Sequence, residues 1–195
     1  MSYFEEYIMP NLKVTVKEFD KALRLLNDKL IEADKVMTIK AIGGYAMMRA
    51  GLRDADGVQG FSEDIDNIAA RFDDTEILMI ESVGKDLNLL PDWLNTDPID
   101  LPEVYEVIDQ LTWMEDKNYS NIRLYIADIP SLILLKTRAI EGCGLLPRKT
   151  DKNDLIKLLK KVDIHNVEDL EMNKNVSFIK EYSRCYSYLQ ERGEW

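Results

Sequence analysis

Apolar residues recur at steps of three and four through residues 16 to 34. Val16, Phe19, Leu23, Leu26 and Leu30 line one side, and charged residues fill the other. That period predicts an amphipathic helix with one face on a core. The pattern then changes. Val36 to Ile42 (VMTIKAI) is short and rich in β-formers, and Gly43-Gly44 follows it, which predicts a strand ending in a glycine turn. Tyr45 to Ala50 reads as a short helix closed by Gly51. Residues 52 to 62 are polar and glycine-bearing, a loop, and Asp64 to Ala70 reads as a second strand.

Glu76 to Leu87 returns to helical spacing, with Ile77, Ile80, Val83 and Leu87 on one face. Prolines at 91, 98 and 102 mark irregular chain, and Glu103 to Gln110 reads as a short helix. Leu111 to Glu115 and Ile122 to Ala127 flank a polar KNYSN segment and read as a hairpin. Ser131 to Glu141 is a strongly apolar helix capped by Ser131 or Asp128, and Asp151 to Val162 and Val176 to Gln190 are further helices. In the last, Ile179, Tyr182, Tyr186 and Leu189 form a stripe that reads as core packing or a homo-oligomer seam. Helices and strands interleave first and helices alone follow. The order predicts an α+β fold with an α/β-like core and a helical C-terminal part.

Composition narrows the function classes. The chain has 195 residues, 36 acidic against 25 basic, and a formal net charge of -11. It is long enough to bury a core without disulfides or metal staples. The negative charge argues against non-specific coating of DNA, which needs a basic surface. Cys143 and Cys185 are distant in sequence and no CxxC exists, which suits free thiols in a reducing compartment. No apolar run approaches the ~18 residues of a membrane span, and acids stand where a signal peptide carries lysines. The expectation is a cytoplasmic protein with no membrane partner. One histidine, His165, is too few for histidine metal clusters, and it reads as a surface or capping residue. Nucleophile-elbow and Walker A patterns are absent from the sequence.

Charge is unevenly placed. Residues 91 to 116 hold eight acids and no Lys or Arg, whereas residues 131 to 161 hold eight Lys or Arg and three acids. The second run reads either as solvated helix surface or as a face that meets phosphate.

The chemistry concentrates in residues 42 to 68, IGGYAMMRAGLRDADGVQGFSEDIDNI. Gly43 and Gly44 permit close backbone approach where a helix begins, a place suited to phosphate. Asp64 and Asp66 are two apart on a strand and so share a face. Two carboxylates on one face suit a hard cation such as Mg²⁺, commonly held by one or two carboxylates and substrate phosphates. As structure only, they would be solvated residues at a strand edge.

In this order the pieces resemble the minimal nucleotidyltransferase fold of the DNA polymerase β superfamily, and more closely the nucleotidyltransferases related to AbiE toxins. Gly43, Gly44, Ala46, Gly51, Arg53, Ser62, Asp64 and Asp66 fill the family pattern, and Trp93-Leu94-Asn95 is a further landmark. So are Lys136, Arg138 and Ala139 in LILLKTRA, and the run Arg148 to Leu155 with Asp151 and Asp154 at its acidic positions. The resemblance covers about residues 35 to 160. It departs in one place: an arginine usual about four residues before the aspartate pair is Gly60 here, and Arg53 stands farther back.

The resemblance implies a small mixed sheet flanked by helices, with residues 1–130 as core and 131–195 as a helical region packed on it. It implies that Gly43, Gly44 and Ser62 bind the NTP and that Asp64 and Asp66 hold Mg²⁺. Lys136 would meet phosphate, and Arg148 or Lys149 would contact substrate. Asp151 and Asp154 would position Lys136 or the acceptor, against a plain helix-dipole role for the pair. A third metal carboxylate would be Asp128 or, less well, Asp116.

The implied function is Mg²⁺-dependent transfer of an NMP group from an NTP to an acceptor hydroxyl on RNA, tRNA or protein, with an antitoxin partner if the chain is a toxin. The basic run favours RNA; the acidic run favours a cationic acceptor. The alternative is a binding or regulatory protein that keeps the fold without turnover.

Overall fold

A computed structural model of the chain describes residues 13–53, 60–142 and 149–195. Among them are eight α-helices and a five-stranded mixed sheet. The architecture is α+β, as the element order predicts.

The N-terminal helix α1 (Val16–Glu32) starts at a capping box: Thr15 accepts from the Glu18 backbone while the Glu18 side chain accepts from the Thr15 backbone. Its apolar side, Phe19, Leu23, Leu26 and Leu30, is wholly buried. Strand β1 (Met37–Ile42) follows, alternating buried Met37, Ile39 and Ala41 with more exposed residues. The turn into α2 (Gly43–Arg49) is made at Gly43, whose φ is +62°. Strand β2 (Ile65–Asn67) and helix α3 (Asp74–Leu87) come next, and α3 is opened by a second capping box between Asp73 and Glu76.

The proline-marked stretch contains a two-residue strand, β3 (Leu94–Asn95), then a 3₁₀ turn and the short α4 (Pro102–Tyr105). The expected helix over 103–110 is shorter, because a second 3₁₀ turn replaces its end. The hairpin forms as read, with β4 (Trp113–Asp116) antiparallel to β5 (Ile122–Ala127). Helix α5 (Ile129–Gly142) leaves β5, and α6 (Lys149–Lys161), α7 (Val167–Met172) and α8 (Ser183–Arg192) follow. The expected helix over 176–190 is broken at Tyr182, which is extended (φ -102°, ψ 90°) between a 3₁₀ turn and α8.

The sheet order is β3-β2-β1-β5-β4. β1 and β5 are parallel, so the glycine turn after β1 and the start of α5 lie at the same edge of the sheet. β2 runs antiparallel to β1 with Asp66 opposite Ile42, which brings Asp66 beside Gly43. The core is continuous from Phe19 and Ile39 through Leu132, Ile133, Leu155 and Leu158. Trp93 anchors its floor: fully buried, it stacks with Phe19 at 6.4 Å and donates from Nε1 to the Ile80 carbonyl. Ile179 and Leu189 are buried and Tyr182 and Tyr186 pack against the same core, so the aromatic stripe is largely internal. Cys185 is a free buried thiol pushed up to about 12 by burial. Cys143 lies outside the described residues.

Candidate functional site

At the sheet edge where β1 and β5 end there is a cavity of about 350 Å³. Gly43, Gly44, Arg53, Ser62, Asp66 and Lys136 all line it, with Asp97, Glu103, Thr150 and Asp151. Segments scattered along the chain therefore meet in one place.

The glycine turn fits closely against two of these side chains. A β-carbon on Gly43 would lie 2.2 Å from Asp66 Oδ2, and one on Gly44 would lie 2.2 Å from Ser62 Oγ and 2.8 Å from an Arg53 nitrogen. Any side chain here would displace the polar groups of the cavity wall. Ser62 is fixed by reciprocal backbone hydrogen bonds with Val14, 2.9 and 3.0 Å long.

Asp64 and Asp66 flank buried Ile65 at the start of β2 and fall on one side of the strand. Asp66 lines the cavity; Asp64 lies beside it and accepts from Asn95 Nδ2 at 2.9 Å. Burial, then the charges of Asp66, Asp92 and Glu63, push the Asp64 carboxyl up to about 7. Such crowding of negative charge is relieved by a proton or a cation. Two carboxylates are enough protein ligands for Mg²⁺ where phosphates complete the shell. Among the described residues no group of three acidic, histidine or cysteine side chains is gathered as a metal site.

Lys136 projects from α5 and is held between two carboxylates of α6, 2.6 Å from Asp151 and 3.1 Å from Asp154. Asp154 also receives Arg53 at 3.1 Å, and Arg53 donates to the Phe61 carbonyl at 3.0 Å. Asp151 and Asp154 are buried despite their charge, which the paired cations make tolerable. Arg53, placed ambiguously by the sequence, thus lines the cavity beside Gly44.

Other expected residues are elsewhere. Asp128 caps α5: one carboxylate oxygen accepts from Ser131 N at 3.0 Å and the other from Thr112 Oγ1 at 2.6 Å. It is not among the residues lining the cavity. Asp116 is bound to Arg49 at 2.5 Å, and Arg49 also meets Asp20 and the Tyr45 hydroxyl. Both proposed third carboxylates therefore have structural partners, and the structure does not bring either into the cavity wall. Lys149 is exposed at the first residue of α6, and its neighbour Thr150 lines the cavity instead. Arg148 lies outside the described residues. His165 is exposed; its backbone N–H donates to Asp169 and its carbonyl accepts from Trp195.

Sequence reasoning did not find Asn95 as the partner of Asp64, nor Asp97 and Thr150 in the wall. The Trp-Leu-Asn triplet was the available signal: Trp93 packs the core, Leu94 forms β3 and Asn95 holds the carboxylate.

No family model matches the chain, and no curated protein or solved structure is significantly similar to it.

Proposed function

We propose that the chain is a Mg²⁺-dependent nucleotidyltransferase that moves an NMP group from an NTP to an acceptor hydroxyl. The observation that carries the reading is the single cavity in which Gly43-Gly44, Ser62, Asp66, Arg53 and Lys136 converge. In this reading the side-chain-free backbone at Gly43 and Gly44 admits the triphosphate. Asp64 and Asp66 hold the metal, whose chemistry is to neutralise the phosphates and polarise the reacting oxygen. Lys136 and Arg53 face the phosphates, held in place by Asp151 and Asp154. The wall carries Asp66, Asp97, Glu103 and Asp151 against Arg53 and Lys136, so a polyanion enters most readily with a cation. The resemblance of the motifs to AbiE-related nucleotidyltransferases supports a toxin role, with RNA or protein as acceptor.

The second reading is a protein of the same architecture that binds nucleotide without turnover. The favouring observation is that Asp128 and Asp116 are engaged with Thr112 and Arg49.

The test is thermal unfolding with and without MgATP. Ligand at 100 times its dissociation constant stabilises by ~2.7 kcal/mol. A shift in the wild type that disappears in Asp64→Ala/Asp66→Ala supports the site; no shift with any NTP contradicts it.

A further inference from the structure

A second cavity, of about 300 Å³, lies on the other side of Asp97, which lines both. Its floor is apolar, made by Phe72, Ile80 and Leu94. Its rim is acidic: Glu81, Asp92 and Asp97 are all exposed. Among the described residues, Arg71 is the one basic residue in the wall, and it is ion-paired to Asp100. Asn95, also in the wall, is the residue that holds Asp64. The cavity is therefore linked to the carboxylate pair through Asn95.

The wall from Pro91 to Asp97 is β3 and its flanks, and β3 is one of the two edge strands of the sheet. An edge strand is where an extended peptide adds to a sheet, with main-chain hydrogen bonds for affinity and side-chain pockets for specificity. The acidic rim selects positive charge on that peptide and repels the phosphates of RNA.

We infer that this second cavity is the acceptor site of the proposed transferase, and that it takes a hydroxyl-bearing residue in a basic, extended protein segment. The inference rests on the transferase reading of the first cavity. In the transfer the acceptor oxygen forms a bond to the α-phosphorus, and the bond from that phosphorus to its β-bridging oxygen breaks. Pyrophosphate leaves, and the hydroxyl proton is released to water. The lysines of α6 are not among the residues that line this second cavity. Among the described residues, Lys136 is the residue of the basic run that lines the first cavity, and it is already held by Asp151 and Asp154.

The experiment is fluorescence anisotropy on the full chain, with three labelled probes: a serine peptide flanked by arginines, its glutamate counterpart, and a single-stranded RNA. The arginine peptide is expected to bind, to weaken with salt, and to lose about tenfold in affinity in Glu81→Gln/Asp92→Asn. Asp66→Ala is expected to keep it. Equal binding of the two peptides, binding of the RNA alone, no binding, or an unchanged affinity in the double variant would overturn the assignment. Circular dichroism verifies that the variants fold. The MgATP melting shift on the same preparations reads the first cavity separately, so a failed nucleotide site and a failed acceptor site give different results.

Discussion

Oδ2 of Asp66 lies 2.2 Å from the point that a β-carbon on Gly43 would occupy. Gly43 also has a φ of +62°. Gly43→Ala therefore meets both backbone strain and a carboxylate. It is expected to lose about 1–3 kcal/mol and the melting shift with MgATP. Gly51 is the internal control. Its φ is +70° but, among the described residues, nothing lies within 4 Å of its missing β-carbon. Gly51→Ala is expected to cost about 1 kcal/mol and keep the shift, and urea unfolding with and without MgATP separates the two.

Asp64 gives the apo protein a pH dependence of known sign. Its carboxyl is raised from 3.8 to about 7 by burial and by the charges of Asp66, Asp92 and Glu63. The folded state thus binds this proton more tightly than the unfolded state. Its contribution is fully present below the unfolded value and is lost as pH rises through about 7. Asp64→Asn removes that loss. Without Mg²⁺ the variant is expected to melt above the wild type at pH 8, by roughly 1 kcal/mol after solvent screening, about 2–4 °C for a chain of this size. Parallel melting curves across the pH series would contradict this. Mg²⁺ competes with the same proton, so its affinity is expected to rise between pH 6 and 8.

Lys136 is ion-paired to both buried carboxylates, Asp151 and Asp154. Lys136→Met removes an ion pair from each of them and leaves Asp154 with Arg53. Removing one partner of a buried ion pair typically costs about 3–5 kcal/mol. Adding Asp151→Asn to that variant is expected to recover part of the loss in urea unfolding. A neutral Lys136→Met would contradict the network.

Asp128 distinguishes a cap from a metal ligand. Its two oxygens serve Ser131 and Thr112. Asp128→Ala is expected to lower stability by about 1 kcal/mol and leave the MgATP melting shift unchanged. Loss of the shift in a folded variant would restore the metal role that the sequence resemblance implies.

The helix with a long apolar period, α1, was legible because one face is buried over several turns; in α3 the expected face is buried only at Ile80 and Val83, while Ile77 is exposed. β3 was not legible, because two residues between prolines carry no period; only the ladder to β2 defines it. α7 has six residues and is set by its Asn166 cap rather than by a stripe. Gly43, Gly44, Ser62, Asp66 and Lys136 could be picked out by residue type and order, and the structure gathers them in one cavity. The partners that define local charge were hidden for a different reason. Arg49 with Asp116, Arg53 with Asp154 and Asn95 with Asp64 are joined across long stretches of chain, and no local pattern announces such pairs.

Nucleotidyl transfer at the aspartate pair is read most directly by incubating the full chain with each NTP labelled at the α-phosphate, Mg²⁺, and RNA and protein acceptors. Label is expected on an acceptor with the wild type and none with Asp64→Ala/Asp66→Ala. Label transferred equally by that double variant, or no label on any acceptor with the wild type, would contradict it.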